Sequence, residues 1–252
     1  MIDLHFHCLP GLDDGPESWS DAEALCRAAR AEGVTTIVAT PHVLRDPWMN
    51  EDPAARDALL AELNLRLGGA PEVVPGSEVW FGSDVVELAE KGDAGPLTTL
   101  NRSRYLLVEF APGFVPRGAE DAFHELLVLG LVPVVAHPER NLVFARDPDL
   151  LERLVARGAL VQVTAGSLLG EFGRGALGAA NELLRRGIVH VVASDAHSVA
   201  VRPPLMATAR AHVEERLGPE VASLLFVTNP EAIVADRPIE PPGPPAGGGG
   251  GR

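Results

Sequence analysis

Lysine is all but missing: Lys91 stands alone, and the rest of the 21 basic residues are arginine. With 35 acidic residues against them the formal net charge is −14. No broad basic surface can form, so an extended nucleic acid is not an expected partner. Cysteine is scarce too. The two, Cys8 and Cys26, are too few for a disulfide framework, and the fold must rely on its core. The single tyrosine, Tyr105, falls in an apolar strand pattern, so the chain carries no tyrosine cluster of its own. Its longest apolar stretches, such as 126–136 and 188–193, fall well short of the roughly 20 residues that a membrane span needs. The first residues show neither a basic region nor a long apolar one. No membrane span and a cytoplasmic location are the expectations.

What the chain does have is apolar material. Hydrophobic residues make up 46% of 252, ample for a buried core. From residue 1 to about 235 the pattern is β then α, repeated. Strand-length apolar runs occur at 2–6, 35–39, 73–79, 105–110, 132–136, 160–164 and 189–193. Helical patterns fall at 21–32, 53–67, 120–129, 148–157, 175–186 and 203–217. Ser18 is a suitable N-cap for the first, and Gly33, Gly130, Gly158, Gly187 and Gly218 end helices. The strands are continuously hydrophobic rather than alternating, which means burial on both faces and a parallel arrangement. One α/β domain over 1–237 follows, with a closed or nearly closed barrel favoured over an open doubly wound sheet. The segment 238–252, rich in proline and glycine, is expected to be a disordered tail.

Of the eight histidines, five fall at or just past the C-terminal end of a strand: His5, His7, His42, His137 and His197. Glu78, Glu109 and Asp195 occupy the same level, and Asp14 lies in the first loop. That rim is where parallel α/β folds build active sites. His5 and His7, two apart on an extended segment, project to one side, and Asp195 with His197 repeats the spacing. Imidazole and carboxylate donors with no second sulfur near either pair suit Mn²⁺, Fe²⁺ or Zn²⁺ in a working site rather than a structural zinc clip. A lone His-x-His is more often plain polar surface, whereas nine donors on one rim point to metal. His124 and His212, in helical patterns, and His190, at the opposite end of its strand, read as ordinary solvated or core residues. Cys8 reads as a small buried residue. Trp19, Trp48, Trp80 and Phe114 lie in or near rim loops, where apolar packing is their first assignment and stacking on an aromatic ligand the second.

The segments His5-Phe6-His7-Cys8-Leu9-Pro10-Gly11-Leu12-Asp13-Asp14-Gly15 and Thr40-Pro41-His42 resemble the opening of the PHP (polymerase and histidinol phosphatase) superfamily. Gly76-Ser77-Glu78, Leu107-Val108-Glu109-Phe110, Ala136-His137-Pro138-Glu139-Arg140 and Ser194-Asp195-Ala196-His197 continue the likeness. More narrowly, the chain is similar to PHP-type protein tyrosine phosphatases of bacterial capsule and exopolysaccharide loci. The resemblance implies a distorted (β/α)₇ barrel holding up to three divalent ions, Mn²⁺ first, with Fe²⁺, Co²⁺ and Zn²⁺ also accepted. It assigns His5, His7, Glu78 and Asp195 to one ion, Glu78, Glu109 and His137 to a second, and Asp14, His42 and His197 to a third. The substrate it implies is phosphotyrosine of a bacterial tyrosine autokinase that controls polysaccharide export.

Phosphate monoesters hydrolyse very slowly unprovoked, and a multinuclear site answers that barrier by providing a nucleophile and neutralising phosphoryl oxygens. Arg140 and Arg202, each just past a donor histidine, are the natural partners for the remaining oxygens; surface ion pairing is their plain alternative. No thiol-phosphatase loop, Gly-x-Ser-x-Gly elbow or Gly-x-x-x-x-Gly-Lys loop is present. Three alternatives stay open: a small-ester phosphatase of the histidinol phosphate type or a phosphodiesterase, a mononuclear oxygenase or amidohydrolase, and a metal-stabilised binding module without turnover.

Overall fold

The computed structural model describes residues 1–239; of the expected tail, residues 240–252 lie outside the described residues. Among the described residues nine strands alternate with helices. The strands are β1 (Ile2–Phe6), β2 (Thr36–Ala39), β3 (His42–Val43), β4 (Glu72–Pro75), β5 (Glu78–Trp80), β6 (Tyr105–Glu109), β7 (Val132–Ala136), β8 (Leu160–Thr164) and β9 (Val191–Ala193). The helices are α1 (Trp19–Ala31), α2 (Pro53–Leu67), α3 (Val85–Glu90), α4 (Ala119–Val128), α5 (Leu142–Arg146), α6 (Pro148–Ala156), α7 (Ala165–Leu169), α8 (Gly173–Arg186), α9 (Met206–Leu217), α10 (Pro219–Ser223) and α11 (Asn229–Val234).

All pairings are parallel, as the unbroken apolar runs required. They form two sheets, one ordered β1-β2-β4 and the other β3-β5-β6-β7-β8-β9. The expected strand at 73–79 is therefore two strands, and the run at 35–39 is followed by a separate β3. A kink at Thr40-Pro41 divides β2 from β3, and one at Gly76-Ser77 divides β4 from β5. Side-chain hydroxyls stitch both kinks. The Phe6 amide donates to Thr40 Oγ1 at 2.9 Å, and the Thr98 amide donates to Ser77 Oγ at 3.1 Å. Gly76 permits the second kink, because a Cβ there would lie 2.7 Å from Val38 Cγ1 and 3.1 Å from the Ala39 carbonyl. At the far edges β1 and β9 approach each other: the Asp195 amide donates to the His5 carbonyl at 2.9 Å and the His7 amide to the Ala196 carbonyl at 3.0 Å.

Side chains capping helices fix where the loops turn. Ser18 accepts from the Asp21 amide, Asp52 from Ala54 and Asn141 from Val143, each satisfying a donor that the first helical turn leaves free. The expected helix at 203–217 starts only at Met206; Pro204 biases the residue before it away from helical backbone.

The strands bury both faces. One face packs on the helices through Phe6, Ile37, Val108, Leu25 of α1 and Phe123 of α4. The other holds Leu4, Val38, Leu107, Val134 and Val191, closed from below by Leu100 and Ile233 of α11. Because side chains alternate, this second face continues upward into polar positions: Leu107 is followed by Glu109, Leu160 by Gln162, Ala193 by Asp195. An apolar floor thus carries the site.

Candidate metal centre

Strand ends deliver the donors, and the register between neighbours sets their spacing. Pairing of β3 with β5 puts His42 opposite Glu78. His137 and Asp195 sit just past β7 and β9 with φ of 32° and 53°. That left-handed backbone is unfavourable for side chains of this size and concentrates at functional sites.

Structure and sequence agree on the cluster: all nine expected donors converge, eight of them buried and Asp14 exposed at the edge. His5 Nε2 lies 3.1 Å from His7 Nε2 and 3.3 Å from both Glu78 Oε2 and Asp195 Oδ1. His7 Nε2 is 3.4 Å from the same two oxygens. Glu78 also meets His42 Nδ1 and His137 Nε2, each at 2.8 Å, so it sits at the centre. His137 reaches Glu109 at 3.9 Å. Asp14 Oδ1 lies 3.3 Å from His42 Nε2 and 3.1 Å from His197 Nε2. In detail the groupings are richer than the three implied sets: His7 joins Asp14, His42 and His197, and His42 also joins Glu78 and Glu109.

These donors fit divalent ions. Bond lengths of about 2.0–2.3 Å place neighbouring ligands about 3–3.5 Å apart, the spacing found here. Glu78 Oε2, Glu109 Oε2 and His197 Nε2 are buried close to other polar atoms but aligned for a hydrogen bond with none of them, an arrangement that costs free energy unless something positive takes them.

A surrounding layer aims the rings. His7 Nδ1 is held by Asp13 Oδ2 at 2.7 Å, His5 Nδ1 by Gln162 Oε1 at 3.0 Å, and His197 Nδ1 by the Asp195 carbonyl at 3.0 Å. Each contact fixes the ring and turns Nε2 inward. Asp13 further accepts the His42 amide at 3.1 Å. Neither Asp13 nor Gln162 stood out in the sequence. Asp13 hid beside Asp14, and Gln162 is a lone polar residue inside a buried strand, which was the available signal.

Electrostatics follow from crowding. Burial would push Glu78 up, yet His5 and His42 hold its carboxyl well below the usual range. Burial and the neighbouring Glu78 raise Glu109 to about 7. Against the penalty of burial, Glu78 and Asp14 lift His42 to about 9. His137, buried and facing Arg140, falls to about 4.

Arg140 and Arg202 both donate through Nη2 to Asp195 Oδ2, and both guanidinium carbons lie over the Phe172 ring, at 4.7 and 5.8 Å. Both arginines line a cavity of about 260 Å³ together with Asp14, His42, Glu109 and His137. Phe172 and Arg45, also against the cluster, escaped the sequence reading. Trp48 and Trp80 flank Arg45, while Trp19 stacks under Arg66. Phe114 is exposed. His190 is buried outside the cluster, accepting the Val161 amide at 3.1 Å, and His212 pairs with Arg216.

A parallel α/β fold whose rim gathers nine imidazole and carboxylate donors beside two guanidiniums defines a candidate polynuclear metal centre shaped for an anionic ligand. Comparison places the chain more closely: residues 1–235 match the model of the capsular polysaccharide synthesis family CpsB/CapC, and the protein belongs to that family. It is 39% identical to the tyrosine-protein phosphatase YwqE of Bacillus subtilis over 250 residues, 97% of this chain and 96% of that one. With the tyrosine-protein phosphatase CpsB of Streptococcus pneumoniae it shares 33% over 248 residues, 95% and 100% of the two chains. The crystal structure of YwqE, described with CpsB as a unique metal-dependent tyrosine phosphatase, superposes with a TM-score of 0.90 over 97% of this chain and 99% of that one. A phosphotriesterase from Mycobacterium tuberculosis, 14% identical, shares the fold at a TM-score of 0.53, with 93% of each chain covered.

Proposed function

We propose that residues 1–237 form one metal-dependent protein tyrosine phosphatase domain, acting in the cytoplasm on phosphotyrosine of a bacterial tyrosine autokinase in capsule or exopolysaccharide synthesis. The observation that carries this reading is the convergence of nine nitrogen and oxygen donors with Arg140 and Arg202 on one cavity. The family and the names of its members support the substrate.

His5, His7, Asp14, His42, Glu78, Glu109, His137, Asp195 and His197 would hold up to three ions, and Mn²⁺ suits donors that include no sulfur. When bound, divalent ions supply positive charge for the phosphoryl oxygens and make water acidic enough to attack near neutral pH. Arg140 and Arg202 bind the remaining oxygens. Their shared anchor, Asp195, and the Phe172 ring keep both planar groups oriented before substrate arrives, so little ordering is left for the binding step. A phenolate leaves with a pKa near about 10, so the departing group needs less proton donation than an alkoxide would.

Chelator-stripped protein given Mn²⁺ is expected to release phosphate from p-nitrophenyl phosphate and from a phosphotyrosine peptide, and the Glu78→Ala variant to release none. Preferential turnover of histidinol phosphate or of a phosphodiester would replace the substrate reading. A folded, metal-loaded chain inert on every phosphoester would leave a binding module and refute it.

A further inference from the structure

The loop after β3 folds into a short finger over the cavity. The Leu44 amide donates to the Met49 carbonyl at 2.9 Å and the Arg45 amide to the Trp48 carbonyl at 3.3 Å. Leu44 takes a φ of 63° to make the turn. The finger's base is pinned: Asn50 Nδ2 donates to the Leu12 carbonyl at 2.9 Å and to the His42 carbonyl at 2.8 Å. Buried Arg56 in turn donates to the Asn50 carbonyl. The finger is thereby built as a fixed part of the site.

At its turn Arg45 lies between two indoles, its guanidinium carbon 5.5 Å from the Trp48 ring and 5.4 Å from that of Trp80. Two aromatic faces hold a cation's plane while leaving its edge free. One corner of that edge, Nη1, reaches His42 Nε2 at 2.5 Å and Glu109 Oε2 at 3.4 Å. Among the described residues, Nε and Nη2 have no hydrogen-bond partner. Arg45 lines the same cavity as Arg140 and Arg202. Those two share the Asp195 carboxylate, whereas the one carboxylate that Arg45 meets is that of Glu109, at 3.4 Å.

We propose that Arg45 is a third anion-binding residue of the site, gripping the phosphoryl oxygens through its Nε–H and Nη2–H edge. The assignment rests on the phosphoester reading of the centre. It deepens that reading by adding a rigid donor held by tryptophans, which suits a phosphoryl group carried on an aromatic ring.

The test uses the Mn²⁺-loaded full chain and its Arg45→Ala and Arg45→Lys variants, with inorganic phosphate affinity measured by calorimetry, KM and kcat on a phosphotyrosine peptide, and bound Mn²⁺ per chain. Losing a charge-assisted hydrogen bond predicts at least about a 10-fold weaker phosphate affinity and higher KM in Arg45→Ala. Arg45→Lys should recover part of this, and Mn²⁺ content should be unchanged in both. Unchanged phosphate affinity and KM would overturn the assignment. So would loss of Mn²⁺ from either folded variant, since Arg45 would then serve the ions rather than the ligand. Should Arg45→Ala fail to fold, Arg45→Lys carries the same comparison. Phosphate binding is read without turnover, so a chain that hydrolyses no tyrosine phosphate yet needs Arg45 for phosphate would refute the phosphatase reading alone. A working phosphatase indifferent to Arg45 would refute this one alone.

Discussion

His190 offers a measurement that is independent of the metal centre. Its ring is buried at the start of β9, 2% exposed, and its Nδ1 accepts the Val161 amide at 3.1 Å. Burial lowers the imidazole to about 4, against an ordinary value near 6.5. The sign follows. Below about pH 6.5 the unfolded chain takes up a proton that the native chain refuses until about pH 4, so stability falls as pH drops through that window. From pH 8 to pH 5 this one group removes about 2 kcal/mol, and about 3 kcal/mol once pH passes below 4. His190→Asn keeps an acceptor for the Val161 amide and removes the titration. Urea unfolding of both proteins at pH 8 and pH 5, at equal metal loading, should show the wild type losing about 2 kcal/mol more than the variant across that interval. Other titrating groups cancel in the comparison. Equal losses would mean that the ring is protonated in the folded state and that the burial argument is wrong.

Three further outcomes are expected. Asp13→Asn removes the carboxylate that orients His7 and should weaken Mn²⁺ binding about 10–100-fold in a competition with a chelating dye; unchanged affinity would show that His7 needs no such anchor. Gly76→Ala places a Cβ against Val38 and the Ala39 carbonyl, and a denaturation curve should show about 1–3 kcal/mol of lost stability. Phe172→Ala frees the planes of Arg140 and Arg202 and should raise KM for tyrosine phosphate by about 0.5–2 kcal/mol in binding terms with kcat little changed. A fall in kcat with KM unmoved would contradict the orienting role.

The donors were legible because their chemistry is rare and their position repeats. Each sits where an apolar run ends, and a parallel fold collects such ends on one rim. The α/β pattern was equally open, since strands buried on both faces cannot hide. What stayed hidden depends on geometry that sequence spacing does not encode. Asp13 and Asp14 are neighbours with the same side chain, and only the loop's turn sends one to His7 and the other to His42 and His197. Arg45 and Phe172 belong to loops after different strands, so nothing local joins them to the cluster. The short helices α3, α5 and α7 are too brief to show a periodic stripe. The kinks, too, were invisible: the run at 73–79 reads as one strand, because Gly76 and Ser77 interrupt its geometry without interrupting its length.

Those two kinks stand at the same level in adjacent strands, and that places a constraint on how such a chain can change. His42 and Glu78 face each other only because β3 and β5 are both stepped relative to β2 and β4. Inserting or deleting one residue at either kink would turn one donor to the helix-covered face, since side chains alternate. The partner strand would be left in register with nothing. A matched pair of one-residue changes would restore the register yet turn both donors away from the site, so the lengths at Thr40-Pro41 and Gly76-Ser77 are held fixed, whereas the outer loops are free to lengthen one at a time. The apolar floor and the rim above it can drift separately in sequence so long as this shared step is kept.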